Sequence, residues 1–190
     1  ESAFRLYRVD GRLRVLRKDG APLRDIDFRV KAHTGGGKVV VWGAINSRGP
    51  DLLVRVDGNM NAAQYRQRVL SEALPASLEK FQMTVAESWI VQDNAASHTA
   101  KVVKDHIRRE GWQVMAWPAY SPDLNVIENV WDWMKLRVAK MKQAKDLDEL
   151  WEQIQLVWRT LDGDFLKPYV ESMPERLAMV KQYKGGPTTY

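Results

Sequence analysis

Apolar residues recur with two different periods along the chain, and the change from one to the other predicts its elements. Residues 3–9 and 12–17 read as two strands joined by Asp10-Gly11, a pair favoured in two-residue hairpin turns. Residues 39–45 form a nearly continuous apolar strand and 52–56 another, with Arg48-Gly49-Pro50 turning the chain between them. Asn61 is placed to cap a helix of about a dozen residues that Pro75 helps to stop. The apolar run Trp89-Ile90-Val91 opens a buried strand over 89–92. Helix 99–110 follows, with Ser97 or Thr99 as its cap and Gly111 as its C-terminal stop. A short strand at 113–116 and a proline-rich turn at 118–122 lead to Asn125. Beyond it, apolar residues at 127, 130, 131, 134 and 138 mark one face of a helix. Two more helices fit 146–161 and 164–183, separated by Asp162-Gly163. Strands first, then strands and helices in alternation, then helices alone make an α/β pattern.

Between residues 18 and 38 the periodicity is lost. Asp19-Gly20 and Pro22 make turns, basic residues dominate, and Gly35-Gly36-Gly37 closes the stretch. About twenty irregular residues inside a compact domain mark either an interaction element or a flexible surface loop. No internal repeat or linker divides the chain, and 190 residues suit one domain, 1–190, with a sizeable core.

A hydrophobic content of 45% with 8 Trp identifies a folded globular chain rather than a disordered one. No apolar run approaches the roughly 20 residues that cross a bilayer, and no secretory signal is visible. With 0 Cys, disulfides and thiolate-zinc sites are excluded. Charge is uneven: residues 1–50 hold 11 Lys/Arg against 5 Asp/Glu, more than the whole chain's net +5. A basic first third points to a polyanionic partner, or else to a solvated basic face.

Two carboxylates stand out. Asp93 follows the apolar run 89–91 and so falls at the C-terminal end of a strand, where open α/β sheets bind ligands. Glu128, separated from it by 34 intervening residues, falls in the first turn of a helix, where the dipole favours a negative charge. Two carboxylates converging there suit a hard, oxygen-seeking divalent cation. Each also has a plain structural reading. Asp93 suits a turn or a helix cap, and Asn125 and Glu128 have the spacing of a capping box.

The ordered set Gln92-Asp93-Asn94-Ala95-Ala96-Ser97-His98-Thr99 and Trp117-Pro118, Ser121-Pro122-Asp123-Leu124-Asn125-Val126-Ile127-Glu128-Asn129-Val130-Trp131 resembles the catalytic domain of Tc/mariner cut-and-paste transposases. The 34-residue spacing ending in Glu matches the Tc branch. The likeness runs from Glu1-Ser2 to the final Gly-Gly-Pro-Thr-Thr-Tyr. It departs at Val126, where the family usually has proline, so the helix start loses a preset φ.

The resemblance implies a ribonuclease-H-like fold: a central mixed five-stranded sheet flanked by helices, with the first and fourth core strands side by side. It places a clamp-like basic loop at 18–38, contacting a partner subunit or DNA and joining a homodimer. It implies cleavage and strand transfer of double-stranded DNA at terminal inverted repeats, with insertion at TA dinucleotides. Asp93 and Glu128 would be catalytic metal ligands for two Mg²⁺ ions, with Mn²⁺ as substitute. The first carboxylate of the triad would be an Asp directly before Glu1. Glu1 cannot replace it, because adjacent strand residues face opposite ways. An N-terminal DNA-binding region of paired helix-turn-helix units would also lie outside these residues.

Asn94, His98 and Asp123 are candidates for positions beside the metal site. His98 could relay protons or contact DNA, or simply hydrogen-bond within the fold, and Asp123 reads as a turn-stabilising carboxylate. His33 carries no specific signal. Arg24, Lys31, Lys38, Lys101, Lys104, Arg108 and Arg109 are candidates for DNA phosphate contacts. A eukaryotic protein of this kind would work in the nucleus. Two other readings stay open: a domesticated, inactive DNA-binding derivative, and a different ribonuclease-H-like nuclease such as a structure-specific resolvase.

Overall fold

The computed structural model describes residues 1–6, 36–46, 48–56 and 58–190. The expected strand 12–17, the Asp10-Gly11 turn, Arg24, Lys31, His33 and nearly all of the 18–38 loop lie outside them. Strands β1 (Ser2–Arg5), β2 (Lys38–Asn46) and β3 (Gly49–Val56) form an antiparallel sheet in that order. Ser2 pairs with Val41 and Arg5 with Lys38, while Val56 pairs with Val40 and Gly49 with Asn46. The turn before β3 is tighter than expected, since Gly49 and Pro50 already belong to the strand. Pro50 is tolerated there because β3 is the edge of this sheet.

β2 is buried on both faces, which accounts for its unbroken apolar run. Val39 and Val41 point, with Phe4 and Leu6, into a core built on Val130, Trp131, Met134, Leu150, Ile154 and Leu166. Val40 and Trp42 point the other way, into a second core with Val56, Tyr65, Val69, Leu70 and Val103. Each such side chain contributes about 1.5–3 kcal/mol when fully buried, so this strand ties the helical layers together. Gly43 is required within it: a Cβ there would lie 2.7 Å from the Trp131 ring and 3.1 Å from that of Trp158.

Helix α1 starts at Ala62–Gln64, runs as a π-helix through Tyr65–Ala73 and ends as Leu74–Phe81. Asn61 and Gln64 cap its start reciprocally, at 2.9 and 3.0 Å. The expected stop at Pro75 is corrected, for the helix continues to Gln82, which takes the left-handed conformation (φ 51°). The wider π turn before Pro75 relieves the ring's clash with the carbonyl four residues back, which would end an ordinary α-helix.

Strands β4 (Trp89–Ile90) and β5 (Gln113–Val114) form a separate parallel pair. Among the described residues there is thus a three-stranded sheet and a two-stranded one, not the expected single five-stranded sheet. The chain leaves extended pairing after Ile90, because Gln92 turns to Tyr65 and Asp93 folds back on Ala95. Nor is the 89–92 segment buried throughout. Ile90 packs on the second core, but Trp89 and Val91, on the opposite face, are 59% and 45% exposed.

The expected helix 99–110 is two helices, α2 (Ala96–Thr99) and α3 (Lys101–Glu110), because Ala100 is extended (ψ 146°). Neither Ser97 nor Thr99 caps α3; the Thr99 hydroxyl donates back to the Ala95 carbonyl at 3.1 Å. Gly111 ends α3 in the left-handed conformation, as expected. Helices α4 (Ile127–Val138) and α5 (Leu147–Trp158) follow, the latter capped by Asp146. The expected helix 164–183 breaks at Ser172 into α6 (Gly163–Glu171) and α7 (Met173–Gln182), since Pro174 has no N–H to continue the ladder. Helices α4, α5 and α6 cover one face of β2, and α1 and α3 the other.

Candidate active site

Asp93 follows β4 at the start of a tight loop. One carboxylate oxygen accepts the Ala95 N–H at 3.1 Å, the local turn chemistry that its residue type favours. The same oxygen lies 2.7 Å from Nδ1 of His98, yet the carboxylate stays 62% exposed. It is oriented without being consumed. His98 is buried, its Nδ1 also lies 3.2 Å from the Asp93 carbonyl, and its Nε2 has no partner among the described residues. Asn94 donates to the Trp117 carbonyl at 2.9 Å and so joins this loop to the segment after β5.

One residue of this group, Tyr65, carried no signal in the sequence. The Tyr65 ring lies 4.3 Å from that of His98, and its hydroxyl donates to Gln92 Oε1. Burial pushes the Tyr65 phenol up, and the Asp93 and Glu1 carboxylates push it further, so it stays a neutral donor. Tyr65 comes from a helix 28 positions before Asp93, and only the fold joins them.

Glu128 occupies the first turn of α4, its N–H donating to the Asn125 carbonyl at 3.0 Å. The capping box does not form: Val126 holds the N-cap position and no side chain caps the helix. The Glu128 carboxylate therefore has no hydrogen bond or ion pair among the described residues. Burial raises its pKa, and Asp132 and Asp93 add to the rise; Lys135 opposes it. The Asp93 carboxylate thus acts on Glu128 electrostatically. Among the described residues no group of three His, Cys, Asp or Glu side chains is placed to hold a metal.

Asp123 stands apart from these carboxylates. Its Oδ2 accepts the Thr188 N–H at 2.7 Å, and this bond holds its pKa below the ordinary value. The backbone N–H groups of its own turn, Asp123 and Leu124, lower it further, so the side chain joins that turn to the C-terminal tail. Lys101, Lys104 and Arg108 share the exposed side of α3, with Arg108 paired to Asp105 at 3.1 Å; Arg109 is engaged by Glu110 at 2.9 Å and His106 at 2.8 Å. Lys38 is exposed at the start of β2.

Residues 8–151 match the family profile described as DDE superfamily endonuclease. The chain belongs to that family. It is 31% identical over 192 residues to the transposable element Tcb2 transposase of Caenorhabditis briggsae, across 100% of this chain and 68% of that protein. Its fold is similar to the Mos1 mariner transposase of Drosophila mauritiana. The crystal structure of the Mos1 mariner paired end complex with Mn superposes with a TM-score of 0.81 at 20% identity, over 98% of this chain and 54% of that one. The Mos1 transposase catalytic domain with raltegravir and Mg gives 0.69 at 22% identity, over 80% and 77%. These likenesses place the chain in a mixed α/β fold of ribonuclease-H-like type. As a DDE endonuclease of the Tc/mariner kind, it is the catalytic domain of a DNA-cleaving transposase.

Proposed function

We propose that Asp93 and Glu128 are the metal-binding carboxylates of this transposase, completed by an Asp directly before Glu1. The observation that carries the reading is the state of Glu128: a half-buried carboxylate whose pKa is raised by burial and then by repulsion from Asp132 and Asp93, with no partner of its own among the described residues. A divalent cation would relieve that repulsion, and a set of carboxylate oxygens fits Mg²⁺ or Mn²⁺. When bound, two such ions supply activation of the attacking water or 3′-hydroxyl and stabilisation of the leaving oxygen.

The register of β1 supports the third ligand. Ser2 and Phe4 face α4, so a residue before Glu1 would share that face. Glu1 itself points to the opposite face, with Tyr65. His98 holds one oxygen of Asp93 and leaves the other open. Lys101, Lys104 and Arg108 neutralise phosphates of double-stranded DNA along the exposed side of α3, immediately after the Asp93 loop. Terminal inverted repeats as substrate, TA target sites, a homodimer through the 18–38 loop and a nuclear location complete the reading. An inactive DNA-binding derivative has no observation in its favour, since both carboxylates are present and free to act.

The test is strand cleavage of a duplex carrying the element's ends by the full transposase. Cleavage is expected with Mg²⁺ or Mn²⁺ and none after chelation. Cleavage that persists in chelator sinks the reading.

A further inference from the structure

The turn that carries Glu128 is gripped from behind by a buried cation. Arg176 of α7 is 0% exposed. Its Nε donates to Ser172 Oγ at 2.9 Å, one terminal nitrogen donates to the Asp123 carbonyl, and the other to Asn129 Oδ1 at 2.7 Å. The Tyr190 ring lies against the guanidinium, 4.2 Å from centroid to carbon, and its hydroxyl donates to Glu175 at 2.7 Å. The Thr188 N–H fixes the Asp123 side chain from the same tail. The 3₁₀ turn Pro122–Leu124, the first turn of α4, α7 and the C-terminal tail therefore meet at one side chain.

Enclosing a guanidinium is costly, and an apolar residue of similar volume is often as stabilising or more so. Among the described residues none of Arg176's hydrogen bonds goes to a carboxylate, and Asp123 offsets its charge only through space. What the planar fork provides, and an apolar side chain does not, is two oxygens held at fixed positions. One belongs to Asp123, in the turn that enters α4, and the other to Asn129, the residue next to Glu128. Arg176 thus holds the residue beside Glu128 and the turn before it, without bonding the Glu128 carboxylate.

We propose that Arg176 is a positioning residue for Glu128, setting the carboxylate's approach to the metal through Asn129 and the 122–124 turn, with Tyr190 closing over it. This rests on Glu128 being a metal ligand. Residues that orient a metal's ligands typically change affinity by about 10–100-fold when lost.

The experiment is Mn²⁺ binding to the full transposase, followed by electron paramagnetic resonance alongside thermal melting. Arg176→Met and Asn129→Ala are each expected to weaken Mn²⁺ binding by about tenfold. The double variant should be no worse than Arg176→Met alone, and Asn129→Asp, which keeps the acceptor, should restore wild-type binding. Asn129→Ala decides the matter if Arg176→Met fails to fold. Wild-type Mn²⁺ affinity in folded Asn129→Ala and Arg176→Met proteins, with only the melting temperature lowered, overturns the proposal. Glu128→Gln separates the two levels. If it weakens Mn²⁺ binding while those variants do not, only the role of Arg176 falls; if it too binds Mn²⁺ normally, Glu128 is no ligand and both fall.

Discussion

Asp93→Asn and Glu128→Gln are each expected to lower strand cleavage by about 10³-fold or more, with the fold intact. Removing one carboxylate takes away several kcal/mol of charge stabilisation, and about 1.4 kcal/mol is a factor of ten in rate. Stability should move the other way for Glu128. Its pKa is raised in the folded chain, chiefly by burial and then by the nearby Asp132 and Asp93 carboxylates, so holding its anion costs stability at neutral pH. That cost is present above the raised folded value and vanishes below the ordinary carboxylate range, where the group is protonated in both states. Glu128→Gln should therefore melt at or above the wild-type temperature at neutral pH, and the difference should disappear on acidification. Single-turnover cleavage and thermal melting at two pH values check both halves. A variant that cleaves within tenfold of wild type removes that residue from the chemistry.

The largest effect on stability is expected at Trp131. It is fully buried, its ring is stacked on Trp158 with centroids 5.6 Å apart, and Gly43 leaves the space it fills. Trp131→Ala should cost about 3–5 kcal/mol through lost burial and the cavity left behind. Trp131→Phe should cost less, because it keeps the stacking and removes an indole N–H that has no partner among the described residues. Urea denaturation measures both. Trp131 lies one turn from Glu128 on α4, so the Ala variant should lose cleavage activity as well as stability. A cost below 1 kcal/mol contradicts the packing described.

The two proposed metal-binding carboxylates stand out in the sequence because short motifs carry them. The core strand at 39–45 is also legible there, since an apolar run that long stays apolar wherever it packs. Other features were set by context. Pro75 reads as a helix stop, but the π turn before it removes the clash. Asn125 and Glu128 read as a capping box, but Val126 takes the cap position and Glu128 is left open. Trp89 and Val91 read as buried, but Ile90 alone of the three faces a core. Tyr65 and Arg176 reach the site from positions 28 residues before Asp93 and 48 beyond Glu128, a separation that no local pattern encodes. The 18–38 loop, with Arg24 and Lys31, lies outside the described residues, so the clamp rests on the family likeness alone.

The most direct test of the central claim is a crystal of the full transposase soaked in Mn²⁺ and measured at the manganese absorption edge. An anomalous peak is expected between Asp93 and Glu128, with carboxylate oxygens of both about 2.1 Å away. Manganese bound elsewhere, or bound by Asp93 with Glu128 turned aside, would contradict the claim.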